Sequence, residues 1–228
     1  MKKIILTVTF AVMSICALAQ SYQPSTKWPL VYENFVDGAI RTRTGSLIEP
    51  LPLNVSVADA SLMYGQNGVV MKADMSTIFT ARVGEDVYVN VGNKLYKVLV
   101  EADKGWILQL TSVDIDKMNR VDIGYGVQST TASSMNVNSL VEASSSIVNM
   151  RFDAFDKYSK EGTPLALSVE RYIYAAGQLI QASKSALKDY PGIDKKDADA
   201  FIKANKIKWS KPESLAVLID FVAGQFQK

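Results

Sequence analysis

Residues 87–98 read VYVNVGNKLYKV, and residues 171–182 read RYIYAAGQLIQA. Each has an aromatic at its second position, a β-branched residue at its third and a leucine at its ninth, after an amine or amide side chain. Alternation with period two on both sides of a short turn is the signature of a β-hairpin, and the first stretch is read as one. The second has a competing reading. Ala, Gln and Leu are good helix formers, so residues 168–188 could form one long helix. Gly177 at the turn and the run Tyr172-Ile173-Tyr174 favour the hairpin. Two such hairpins arise either from duplication of a small β unit or from convergence on a common pattern.

Working outward, the chain from Trp28 to about residue 118 is β-rich. Residues 39–44 alternate, Thr44-Gly45-Ser46 turns, and LIEPLPLN continues from Leu47. Pro50 and Pro52 cannot donate to a ladder, so residues 47–53 read as an edge strand or an extended arm. GQNG separates residues 62–64 from 69–72, and STIFTARV, DVYVNV, KLYKVLVEA and GWILQLTSV follow with short polar turns. This spacing predicts an antiparallel meander curling into a small barrel or a sandwich. Val87, Val89 and Leu95 are its expected inward residues. Residues 119–139 are rich in Ser, Thr, Gly and Asn, with too little apolar surface to offset the entropy of ordering, and read as a linker or exposed loop. Residues 140–155 could be strand or helix, and their β-branched content favours strand.

The C-terminal part predicts short helices. One starts near Ser183 and stops at Tyr190-Pro191-Gly192. Asp194 can cap the next, whose apolar face is Ala198, Phe201 and Ile202. Ser210-Lys211-Pro212-Glu213 has the form of a capping box. Leu215, Leu218, Ile219, Val222 and Phe226 then fall on one helical face as core residues. The expected fold class is therefore α+β. A β-rich N-terminal lobe (28–118) and the linker (119–139) precede a smaller α+β lobe (140–228) with a hairpin and two to three short helices.

The first twenty residues, MKKIILTVTFAVMSICALAQ, have two lysines, an apolar run and Ala17-Leu18-Ala19. That is the layout of a secretory signal peptide, residues 1–19, with cleavage expected between Ala19 and Gln20. An uncleaved anchor and a lipoprotein joined through Cys16 are the alternatives, although Ile15 is not the small residue that usually precedes a lipidated cysteine. No later run approaches the about 20 apolar residues that span a bilayer. Without Lys2 and Lys3 the basic residues equal the 23 acidic ones. A near-neutral chain argues against a nucleic-acid partner, which needs a basic face. Cys16 is the only cysteine, so disulfides are excluded from the processed chain; core burial must stabilise it instead.

ALAQ, VYVNVGNKLYKVLVE, the Ser/Thr-rich segment after Gly-Tyr-Gly and the ending FIKANKIKWSKPESLAVLIDFV together resemble uncharacterised exported proteins of Gram-negative bacteria. The resemblance covers the chain from Trp28 onward. It implies export, to the periplasm or cell exterior, and a mixed β-plus-helix fold. It carries no activity and no site residues.

The chain contains no histidine. Ser–His and Cys–His nucleophile systems are thus unavailable, as are the usual His or Cys zinc sites. Acid–base work would fall to carboxylates, lysines or tyrosines. Ser185 and Lys188 have the Ser-x-x-Lys spacing without the accompanying motifs of penicillin-recognising enzymes, which favours a solvated helix face. Asp114 with Asp116, and Asp153 with Asp156, are the closest candidate carboxylate pairs for glycoside chemistry. Residues 113–122 lack the ligand alternation and central glycine of a calcium loop. Gly124-Tyr125-Gly126 lacks the residues of a phosphate loop. Trp28, Trp106, Trp209 and Tyr125 could stack on sugars, with Trp106 and Trp209 expected in the core and Tyr125 exposed. No catalytic residue, metal or cofactor is expected. The reading that fits is a non-catalytic exported binding or structural protein of the bacterial envelope, with an envelope protein or small ligand as partner. A carboxylate-based hydrolase acting on glycans is the alternative. A subunit of a surface assembly, pairing through residues 47–53, is a further one.

Overall fold

Alternating runs joined by tight turns tend to pair each strand with its neighbour in sequence. The computed structural model describes Thr26, residues 28–114, Lys117, residues 121–122, 128–129, 147–154 and 164–226. Its strands are β1 (Val36–Thr42), β2 (Leu47–Val55), β3 (Leu62–Gln66), β4 (Val69–Lys72), β5 (Ile78–Val83), β6 (Asp86–Val91), β7 (Lys94–Ala102), β8 (Gly105–Val113), β9 (Val121–Asp122), β10 (Gln128–Ser129), β11 (Leu167–Ala175) and β12 (Gln178–Gln181). Four short helices follow: α1 (Lys184–Asp189), α2 (Lys195–Ala204), α3 (Pro212–Leu215) and α4 (Val217–Phe226).

Ten strands form one antiparallel sheet in the order β12-β11-β8-β7-β6-β5-β1-β2-β3-β4, and β9 pairs only with β10. Asn67-Gly68, Gly92-Asn93 and Ala176-Gly177 all have positive φ at both residues. That is the backbone of the two-residue hairpin turn whose twist matches its strands. The end strand β4 is covered by backbone: Val70 N–H donates to Met150 O at 2.8 Å and Asn149 N–H to Val70 O at 2.7 Å. At the other end β12 has four residues and runs directly toward α1.

The register sorts side chains onto two faces. Arg171, Gln109, Lys97, Tyr88, Ala81 and Ile40 stand in one transverse row across β11, β8, β7, β6, β5 and β1. On that face Ile107, Ile173 and Ala175, each 0% exposed, meet the helices through Leu187, Leu218 and Val222. Burying each large aliphatic chain there contributes about 1.5–3 kcal/mol. Farther along, Ile40, Leu53, Ala81, Tyr88 and Leu95 form a second cluster. The opposite face carries Val89, Tyr96 and Leu108, flanked by Trp106, Tyr172 and Tyr174.

Local helix signals behave largely as read. The Ser183 hydroxyl accepts from Ala186 N–H at 3.2 Å. The Asp194 carboxylate accepts from Lys196 and Asp197 N–H at 2.8 and 3.0 Å. Leu215, Leu218, Ile219 and Val222 are fully buried. The capping box expected at Ser210–Glu213 does not form. Lys211 takes the N-cap position with no side-chain bond, one residue later than the box needs.

Several expectations are corrected. The barrel does not close, because β4 and β12 remain ends of an open sheet. The expected fold class is met in part: the structure is mostly one antiparallel sheet with a few short helices. The second hairpin joins the same sheet, since β11 pairs with β8 over all nine of its residues. Val87 is 45% exposed: it shares the face of Val89 but lies outside the Val89–Tyr96–Leu108 cluster that covers that residue. Residues 47–53 are an edge only in part: β2 lies between β1 and β3, but β3 pairs with Leu53, Asn54 and Val55 alone. Pro50 and Pro52 fall in the half without an outer neighbour. The described part of 140–155 is turn and a short helical piece; only Arg151 bridges, to Val69, while Ile147 and Phe152 fold back onto Met63 and Val70. Within the expected linker 119–139, β9 and β10 pair. The signal segment 1–19, its cleavage point, Cys16 and the rest of the linker lie outside the described residues.

The two hairpins share turn and register, yet their matched residues face opposite ways. Tyr88 and Leu95 pack with Ile40, whereas Tyr172 and Leu179 pack on the other face with Leu108. Their flanks differ too: β6–β7 sits inside the sheet and β11–β12 ends it. The common pattern therefore reflects the shared turn rather than a repeated unit. Ile173→Ala should cost about 2–5 kcal/mol by removing the residue that joins β11 to the helices. Val87→Ala should change stability by less than about 0.5 kcal/mol. Urea unfolding of both variants checks the face assignment.

Candidate functional site

The β7–β8 and β11–β12 turns end side by side because Gly105 pairs with Ala175 and Trp106 with Tyr174. A Cβ on Gly105 would stand 1.9 Å from the Tyr174 carbonyl oxygen, so only glycine lets the hairpins approach this closely. The Trp106 and Tyr174 rings stack with centroids 5.4 Å apart and planes 20° from parallel. On the other side of Trp106, Glu101 is its cross-strand partner. Together with Ala102, Asp103, Lys104, Ala176 and Gly177 these residues line an open hollow of about 670 Å³. The Lys104 ammonium lies 3.4 Å from Asp220 on α4, which ties the turn to the helical layer. The hollow thus offers aromatic surface beside two carboxylates. Flat C–H faces can stack on the former while hydroxyls or amines donate to the latter.

The other sequence candidates do not converge on it. On α1, Lys188 is 2.7 Å from Asp199, and Ser185 is exposed beside Ser183 at 3.4 Å. Hydrogen bonding from Lys188, reinforced by Lys184, holds the Asp199 carboxyl below its usual range despite the opposing effect of desolvation. This helix face is an ion-paired surface. Asp114 accepts from Lys117 N–H at 2.9 Å, and Asp153 pairs with Arg151 at 3.0 Å. Their proposed partners Asp116 and Asp156, and also Tyr125, lie outside the described residues. No cluster of three or more metal-ligating residues occurs among the described residues. None of the described helices is long and apolar enough to cross a membrane. Trp28 packs on the cluster around Met63, and Trp209 on the helical core. Trp106 packs on the Val89–Tyr96–Leu108 cluster and, like Trp209, is half-buried rather than fully enclosed, because it stands at the sheet end where the hollow opens. Sequence reasoning missed Tyr174 as its partner: nothing local to either strand encodes the pairing of β8 with β11.

A second polar cluster is internal. The Tyr32 hydroxyl donates to Asp86 at 2.6 Å and lies 2.8 Å from the Tyr88 hydroxyl, while Lys97 is 2.7 Å from Asp86. Burial, followed by the neighbouring Tyr88 and Asp86, pushes the Tyr32 phenol far above the usual tyrosine range. Burial and Glu170 push Tyr172 up as well. A phenol raised in the folded state contributes its full stability below the unfolded pKa of about 10 and loses it as pH climbs further. Stability should therefore fall above about pH 10, and Tyr32→Phe should flatten that fall. Urea unfolding from neutral to strongly alkaline pH measures it, and equal slopes would exclude the Tyr32 contribution.

Comparison with protein-family models, with curated proteins and with solved structures finds no match to this chain.

Proposed function

We propose that this chain is an exported, non-catalytic binding protein of a bacterial envelope, and that the hollow at the hairpin ends receives a saccharide. The observation that carries the reading is the stacked Trp106–Tyr174 pair lining a hollow that also holds Glu101 and Asp103. Sugars present apolar C–H faces and vicinal hydroxyls, which aromatic rings and carboxylates match. The hollow is open, which favours binding over hydrolysis: a general acid with a raised pKa needs a desolvated setting. Export rests on the charged, apolar and small-residue segments of residues 1–19.

Tryptophan fluorescence titrated with soluble glycans and peptidoglycan fragments tests the site. Saturable binding is expected, weakened roughly tenfold or more (about 1.4 kcal/mol) by Trp106→Ala and unchanged by Trp209→Phe, with no reducing ends released. Equal affinity of Trp106→Ala and the parent protein would remove the hollow from consideration, and glycan cleavage would replace binding with hydrolysis. For export, N-terminal sequencing of the protein recovered from cells producing it should begin at Gln20; a start at Met1 would rule out cleavage.

A further inference from the structure

On the sheet face opposite the Trp106 hollow, Arg171, Gln109 and Lys97 occupy successive positions of one row on β11, β8 and β7. Neighbouring strands lie about 4.8 Å apart, which puts the Gln109 amide midway between two cationic side chains roughly 10 Å apart. The helical layer stops here: Ile173 is 0% exposed beneath it, whereas Val169, two residues the other way on β11, is 45% exposed. Arg171 is half-buried at this border, and among the described residues its buried Nε has no hydrogen-bond partner.

Other cations are differently placed. Lys97 is held by Asp86, Lys188 by Asp199 and Lys72 by Asp59. Among the described residues Arg171 has no carboxylate within ion-pair distance. Its sequence neighbour Glu170 cannot serve, because it points to the opposite face and accepts the Tyr172 hydroxyl. The Gln109 amide makes only a 3.5 Å contact to Thr111 Oγ1, at the limit of a hydrogen bond. A buried N–H left unpaired on a guanidinium destabilises a fold unless an acceptor meets it.

We propose that Arg171 and Gln109 form a binding site for an oxyanion, the carboxylate or phosphate group of a small ligand. The guanidinium fork matches either group in two parallel bonds. The site does not depend on the saccharide reading, since it lies across the sheet from the hollow.

Thermal unfolding of the purified protein in sodium chloride, phosphate and acetate at equal ionic strength tests the proposal. Phosphate or acetate should raise the Tm of the parent protein by about 3–6 °C once it exceeds its Kd about tenfold. Arg171→Met should lose that shift and, in chloride, melt at or above the parent temperature, because it removes an uncompensated cation. Arg171→Lys keeps the charge without the fork and should lose most of the shift, which covers the case in which Arg171→Met does not fold. Equal shifts in the parent and Arg171→Lys, no shift with either anion, or an Arg171→Met protein that melts lower in chloride would each overturn the proposal.

Discussion

The nine-position ladder between β8 and β11 is the constraint on which the rest of the structure depends. It closes a long loop in the chain, and the entropy of that closure must be offset by the surface it buries. The offset comes from Ile107 and Ile173, which the ladder sets side by side and α4 then covers. Without the ladder, β12 and the α1 helix packed on it would lose their place, and α4 would keep β8 but lose β11. The same register brings Gly105 against Ala175, and so creates the hollow on one face and the Arg171–Gln109 row on the other.

Local features were legible in the sequence to the extent that their physics is local. Gly92-Asn93 and Asn67-Gly68 announce their turns because few residues accept positive φ. Asp194 and Ser183 cap helices because a short side chain reaches the free N–H groups of its own first turn. The stripe from Leu215 to Val222 needs only a 3.6-residue period and a face to bury. Each of these depends on residues within a few positions of one another.

What stayed hidden depends on partners far apart in the chain. Alternation in DVYVNV says that Val87 and Val89 share a face, but not that Val89 is covered and Val87 left open. Ser210 has the spacing of a cap, but the helix begins one residue later. Trp106 read as core because its neighbours are apolar; its half-exposure follows from its place at the end of a strand. The match between the two hairpins was real at the level of the turn, yet the one-residue offset between them in the sheet turned Tyr88 and Tyr172 to opposite faces. Arg171 gave no signal at all, since an arginine on a strand is unremarkable until its surroundings are known.

The prolines of β2 bear on how this molecule behaves when crowded. An open sheet exposes a row of unmatched main-chain groups wherever a strand lacks a neighbour, and such rows recruit other chains into shared sheets and fibres. Here one end of the sheet is sealed by residues 149–151, and the other is four residues long. A further gap, along the outer side of β2, contains Pro50 and Pro52, which supply no N–H to an incoming strand, although Leu47 and Ile48 beside them are exposed and apolar. Along that stretch the prolines thus oppose self-templated pairing while half of β2 stays uncovered.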